Sequence, residues 1–164
     1  MKNKITPFLW FDKNAEEAMG FYTSIFKNSK IVSIKRYPEG PLEGPMKGMD
    51  GKVLTAVFEL EGQEFLALDG GPFFKPTGAV SFYVECVNQE EVDYYWDKLT
   101  EGGDEKAQQC GWLQDKFGFS WQIIPQDLPL LLNDPDKEKS HRVLEAMLKM
   151  KKIVVAELWN AANR

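Results

Sequence analysis

Apolar and polar residues follow two rhythms along this chain, and one block of the pattern occurs twice. Asn14 to Ile25 is matched 74 positions later by Asn88 to Leu99. In the first block Ala18, Phe21, Tyr22 and Ile25 fall at helical spacing. Val92, Tyr95, Trp96 and Leu99 repeat it in the second. Each block follows a short apolar run, Ile5 to Phe11 and Val80 to Val84, and each leads into strand-like runs. Those runs end in Gly-x-x-aromatic, as Gly62-Gln63-Glu64-Phe65 and Gly118-Phe119-Ser120-Trp121. Two copies of this length make a duplicated supersecondary unit, not a solenoid. The pattern predicts one pseudo-symmetric domain with a cavity where the two sheets meet.

The helix starts carry their own signals. Asn14 and Asn88 stand where an N-cap side chain accepts from orphan backbone N–H groups. Glu17 and Glu91 follow at capping-box spacing. The pairs Glu16-Glu17 and Glu90-Glu91 suit the positive end of a helix dipole, so capping accounts for them better than acid catalysis does.

The first module reads as a strand over Ile5 to Phe11, a helix over Asn14 to Phe26, and strands over Lys30 to Tyr37, Val53 to Leu60 and Glu64 to Leu68, the last two joined by a tight turn at Gly62. Residues 38–51 hold four glycines and three prolines, which excludes regular structure there. That loop is either a pocket cover or a surface excursion. The second module reads as a strand over Ala79 to Cys86, a helix over Asn88 to Leu99, and strands over Gln108 to Leu113 and Phe119 to Ile124, with a further short strand near Ala107. Asp134-Pro135 then starts a helix as N-cap and first helical residue. Val143, Leu144, Met147 and Leu148 form its apolar stripe, and Ile153 to Ala162 forms a second short helix. This tail packs on the domain or on a partner subunit.

Composition narrows the classes. At 164 residues the chain is one domain, or one plus an appendage. A net charge of −5 without a long basic stretch argues against nucleic acid and anionic membranes as partners. The Lys149–Lys152 cluster suits a helix end. No apolar run reaches membrane-spanning length, and no signal-peptide pattern follows Met1. Cys86 and Cys110 lack metal or redox spacing, which fits reduced thiols in a cytoplasmic protein. His141 is the single histidine and reads as a surface residue. There is no nucleophile elbow, HExxH, CxxC or P-loop, and no glycine-rich strand-to-helix turn for a nucleotide-like cofactor.

Three stretches carry a family resemblance. They are Thr6 to Phe11, Glu16 to Tyr22 and Gly111-Trp112-Leu113-Gln114-Asp115-Lys116-Phe117-Gly118-Phe119-Ser120-Trp121-Gln122-Ile123. With Ala146 to Lys152 they resemble the PhnB-like, demethylubiquinone methyltransferase-like family. That family lies in the vicinal oxygen chelate superfamily, which also holds the glyoxalases, bleomycin resistance proteins and dioxygenases. The resemblance implies an α+β fold of two pseudo-symmetric βαβββ modules whose curved sheets surround a cavity. The modules cover about residues 4–70 and 78–126, within a domain of residues 1–132. Residues 133–164 are then a C-terminal helical extension.

The superfamily's metalloenzymes use four ligand positions, commonly histidine and glutamate. The resemblance places them here at Pro7, Leu66, Ser81 and Gln122. Proline and leucine side chains do not ligate, and serine and an amide are weak ligands for transition metals. The expectation is therefore no metal and no cofactor. The chain is expected to be a metal-independent small-molecule binding protein and, by the resemblance, a homodimer. The alternatives are a metal-assisted lyase, isomerase or dioxygenase-type enzyme, or a dimeric scaffold with a filled cavity. The candidate cavity residues are Phe8, Trp10 and Phe58 as walls, with Thr55, Ser81, Ser120 and Gln122 as polar groups. Alternation turns Gln122 away from Trp121. Its amide then needs a partner: Ser81, a water or a ligand.

Overall fold

The computed structural model describes residues 4–164. They form two compact units, one running up to Pro76 and the other from Thr77 to Arg164.

The first unit runs β1 (Phe8–Phe11), α1 (Ala15–Ile25), β2 (Ser29–Arg36), β3 (Val53–Leu60) and β4 (Gln63–Asp69). The sheet order is β1-β4-β3-β2, and β1 lies parallel to β4 because α1 makes the crossover. This is the expected βαβββ module. Alternation sends Phe58, Phe65 and Ala67 to the helix side, where Ala18, Met19, Tyr22 and Ile25 cover them. Tyr22 stacks over Phe58 with centroids 6.5 Å apart, and Phe65 follows at 5.2 Å from Phe58. Met19 occupies the helix face where the sequence suggested Phe21, which is only half-buried.

The α1 cap differs from expectation. The Asn14 side chain makes no cap hydrogen bond. Asp69, only 1% exposed at the end of β4, accepts from Ala15 N–H through Oδ1 and from Val53 N–H through Oδ2, each at 2.9 Å. One buried carboxylate thus ties the helix start to the start of β3. The 38–51 loop is not wholly irregular, since Gly44–Met46 make a 3-10 turn. Tyr37 N–H donates to Lys52 O at 2.9 Å and closes the loop's neck. Met49 is buried, with its methyl beside Gly71.

The second unit runs β5 (Ser81–Cys86), α2 (Gln89–Thr100), β6 (Trp112–Gln114) and β7 (Ser120–Pro125), in the order β5-β7-β6. Its sheet has three strands, one fewer than a full βαβββ module. The strand expected over Gln108 to Leu113 is interrupted, because Cys110 and Gly111 both have positive φ, 53° and 84°. That sign pattern belongs to a type I′ turn. The Gln109–Trp112 bridge closes this turn, and Glu105–Ala107 form a 3-10 turn where a short strand was expected. Glycine suits position 111, since its φ is 84° and a Cβ there would also crowd Ile123 O of the backbone at 3.1 Å.

The α2 cap is close to expectation. Asn88 Oδ1 accepts from Glu91 N–H at 3.0 Å. Glu91 Oε2 accepts from Val87 N–H at 2.9 Å, one residue before the usual capping-box partner.

The tail folds as α3 (Asp127–Leu132), α4 (Lys137–Met147) and α5 (Val155–Ala162). It packs on its own unit. Ile124 of β7 shares a core with Leu128, Leu131, Val143, Met150, Ile153 and Leu158. The α4 cap is Asp136, accepting from Glu138 and Lys139 N–H, and not Asp134. Of the expected stripe Val143 faces inward, while Leu144 and Leu148 are exposed. Lys152 does not serve a helix end as its cluster suggested: it reaches Asp93 of α2 at 2.8 Å. His141 lies on the surface, 3.4 Å from Glu145 one turn on. No helix among the described residues is long and apolar enough to cross a membrane.

Candidate functional site

Each sheet has one face covered by its own helix and one face turned away from it. In the first unit the second face carries Phe8 and Trp10 from β1, Leu66 and Leu68 from β4, and Thr55 and Val57 from β3. Phe8 stands opposite Leu66, which stands opposite Val57, so the middle of this face is apolar. Phe58 does not belong to it. It is fully buried against α1 and is core, not a cavity wall. Thr55 and Phe58 are three positions apart on one strand, so they cannot share a face. Trp10 is pinned by the chain that follows β4. Its indole N–H donates to Gly71 O at 2.9 Å, and Phe74 meets its ring edge-on at 4.9 Å.

In the second unit α2 packs on β7 and β6 and takes Trp121, Ile123 and Leu113 inward. The opposite face carries Ser81 and Tyr83 from β5, Ser120 and Gln122 from β7, and Trp112 and Gln114 from β6. Tyr83 and Trp112 are the direct cross-strand neighbours of Gln122 on its two sides. They are 52% and 36% exposed. Gln122 Nε2 donates to Ser81 Oγ at 2.8 Å, one of the three kinds of partner the sequence left open. Desolvation raises the Tyr83 phenol above its ordinary pKa, with a smaller contribution from Glu85, so it is a neutral donor at physiological pH. The structure places the sequence candidates Ser81, Ser120 and Gln122 on this one face, beside Tyr83 and Trp112, which the sequence did not single out. Their signal is register: each falls opposite Gln122 once the strands are paired.

The β6–β7 turn holds this face in place. Asp115, 2% exposed, accepts from Phe117 and Phe119 N–H through Oδ1 at 2.9 and 3.0 Å, and from the Trp121 indole through Oδ2 at 2.8 Å. Trp121 is thereby fixed on the helix side, and Gln122 follows on the other.

The sequence also gave no hint of a polar cleft of about 580 Å³ beside the start of α1. It sets Lys13, Arg36 and Lys52 against Glu16, Glu17, Glu39, Asp50 and Asp69. Two of its charges are spent on each other. Arg36 makes a two-pronged pair with Glu16, both contacts at 2.8 Å, which lowers the Glu16 pKa. Asp69 is committed to its two backbone donors. The cleft lies beside the helix start and the loop neck, with the Arg36–Glu16 pair in its wall.

The four positions implied as metal ligands do come together in pairs. Leu66 N–H donates to Pro7 O at 2.9 Å, and Gln122 bonds Ser81. The first pair offers no side-chain donor, and the second offers an amide and a hydroxyl already joined to each other. Among the described residues no group of three or more His, Cys, Asp or Glu side chains is placed to hold a metal ion. This donor set does not fit a transition metal.

A family model described as 3-demethylubiquinone-9 3-methyltransferase matches residues 3–124. Among solved structures, the chain is 44% identical to a PhnB protein from Bacillus cereus, covering 75% of this chain and 99% of that one, with a TM-score of 0.64. A protein from Pseudomonas aeruginosa aligns at 20% identity over 76% of this chain and 98% of that one, with a TM-score of 0.60. A mutant of the fosfomycin resistance protein FosX from Listeria monocytogenes, complexed with Mn(II) and a dihydroxypropylphosphonic acid, aligns at 18% identity. It covers 79% of this chain and 99% of that one, with a TM-score of 0.50. These last two likenesses concern the fold alone. No curated protein matches.

Proposed function

The chain belongs to the PhnB-like 3-demethylubiquinone-9 3-methyltransferase family of the vicinal oxygen chelate superfamily, and from that premise we propose that it is a metal-independent small-molecule binding protein whose ligand sits on the open face of the second unit's sheet. One observation carries the proposal. At the positions where the superfamily's enzymes hold a metal, this chain has a hydroxyl–amide pair flanked by two exposed aromatics. A few placed polar groups among apolar walls are the usual makeup of a small-molecule site.

Methyl transfer is not supported by the backbone. The strand-to-helix turns are Asp12-Lys13-Asn14, Val87-Asn88 and Gln126, and none holds a glycine that would let a phosphate or nucleotide approach. The same proposal includes a cytoplasmic homodimer built from a domain over residues 1–132 and an extension over 133–164. Exposed Leu130, Leu144 and Leu148 supply apolar surface for such a contact. Light scattering at tens of micromolar is expected to give twice the chain mass.

Native mass spectrometry of protein purified from its own host tests the function. A retained small molecule and no stoichiometric metal is the expected result. About one zinc, iron, manganese or nickel per chain, retained after dialysis, would overturn it.

A further inference from the structure

The Tyr83–Gln122–Trp112 row does more than offer a generic pocket. The three residues lie in direct register across β5, β7 and β6, so their side chains rise from the same face in a line. Neighbouring strands are about 4.8 Å apart, which puts the two outer backbones roughly 10 Å from each other. One flat ring held between two others needs about 7 Å, two contacts of about 3.5 Å. A spacing of roughly 10 Å admits a single layer of flat ring, since a second layer would add another contact of about 3.5 Å. Neither outer aromatic makes a ring contact or a side-chain hydrogen bond among the described residues; of the other exposed aromatics Phe74, Tyr94 and Trp159 each make one, while Phe8 and Phe73 do not.

The middle of the row is polar and incomplete. Gln122 Nε2 spends one N–H on Ser81 Oγ. Its second N–H and its Oε1 have no partner among the described residues. Ser81 accepts from the amide and keeps its own proton to donate. A donor and an acceptor therefore stand side by side at the floor of the gap. None of the four side chains is charged at neutral pH.

The first unit supplies the contrast. Its matching row is Phe8–Leu66–Val57, with leucine in the middle and no polar group. The polar floor is specific to the second unit.

We infer that the second unit's open face takes a neutral, flat aromatic or heteroaromatic ring carrying an N–H and a C=O side by side, held between Tyr83 and Trp112 and read at its lactam-type edge by the Gln122 amide and Ser81 hydroxyl. The inference rests on the small-molecule reading above and narrows it to a ligand class. The ring faces provide area that any flat molecule would use. Discrimination comes from the edge, because a ligand lacking it leaves the amide unsatisfied at a partly desolvated position.

Two probes separate these contributions. 2-Quinolone has the lactam edge, and 1-methyl-2-quinolone has the same ring with the N–H blocked. Binding of each is measured by fluorescence titration to the full chain and to Gln122→Leu and Trp112→Leu, each variant first checked by thermal melting. The wild-type protein is expected to bind 2-quinolone on the order of tenfold more tightly than its methylated form. Gln122→Leu is expected to abolish that preference, and Trp112→Leu to weaken both probes alike. Equal binding of the two probes by the wild-type protein overturns the inference without needing any variant. So does a preference that survives Gln122→Leu. If both probes bind equally and Trp112→Leu weakens both, the edge reading falls while the face remains a small-molecule site. If neither probe binds, the ligand class is wrong, and the small-molecule reading is judged separately by what native mass spectrometry retains.

Discussion

The Asp115 carboxylate and the Trp121 indole share a buried hydrogen bond of 2.8 Å across the β6–β7 turn. Asp115 is a turn-former and an anchor at once, since its other oxygen takes two backbone N–H groups. Replacing it with alanine leaves three buried or half-buried donors without an acceptor. Asp115→Ala is expected to lose on the order of 3 kcal/mol, and Asp115→Asn less, because the amide oxygen still accepts from one side. Urea titration of both variants checks this. Equal stability of Asp115→Ala and wild type would refute the anchoring role.

The two cysteines should behave differently towards a thiol reagent. Cys86 is fully buried, and burial first, then Glu91 and Glu85, pushes its thiol up to about 12. The thiolate is the reactive form, so Cys86 stays inert at pH 8. Cys110 is partly exposed. Native protein is expected to titrate about one thiol quickly, and protein in guanidinium two. Two fast thiols in native protein would contradict the burial of Cys86.

Gln89 fastens the tail to α2 with both ends of its amide. Oε1 accepts from Val155 N–H at 2.7 Å, and Nε2 donates to Ile153 O at 3.1 Å. Gln89→Ala is expected to cost about 1–2 kcal/mol and to speed amide exchange over residues 153–162 while leaving the first unit's protection unchanged. Uniform acceleration across both units would show that the effect is not local.

The Glu16–Arg36 pair has a signed pH dependence. Its hydrogen bond to Arg36, then the Arg36 and Lys52 charges, lowers the folded-state pKa of Glu16. A lowered folded pKa contributes stability above the unfolded value of about 4.3, and the contribution is lost as pH falls through the folded value. The pair is largely solvent-exposed, so the effect is small and screened by salt. Wild type should melt slightly above Glu16→Gln at pH 6 in low salt, and the gap should close below about pH 4 and in 0.5 M salt. A gap that widens on acidification would reverse the sign and reject the pairing.

How much of this was legible in the sequence depends on how local each signal was. The two helices were, because their stripes and acidic first turns lie within twelve residues. The Gln122–Ser81 contact was legible only as one of three options, because alternation turns the amide inward without fixing which partner meets it. The α1 cap was not. Its acceptor is Asp69, 54 residues downstream, while the neighbouring Asn14 carries the ordinary capping signature. The interruption at Cys110 hid for another reason: an I′ turn usually shows Asn-Gly or Asp-Gly, and cysteine is an unusual first member. Its backbone is held instead from the tail, with Cys110 and Gly111 N–H donating to Met150 and Lys151 O at 2.9 and 2.8 Å. Helix α3 was masked by Pro129, which sits in the first turn of a six-residue helix. The missing Tyr83 and Trp112 are a register effect, invisible until strands are paired.

The dependence of the Cys110–Gly111 turn on Met150 and Lys151 has a consequence for the order of assembly. On a ribosome the first unit has all of its strands once Asp69 has emerged, so its sheet can close while the rest of the chain is still being made. The second unit has no such freedom. Strand β6 follows a turn whose two N–H groups find their acceptors, Met150 and Lys151 O, only some forty residues later, and the cover over Ile124 is complete only once Ile153 and Leu158 arrive. Between those moments a nascent chain carries one finished half and one unsealed half, and the unsealed half is where a chaperone would be needed.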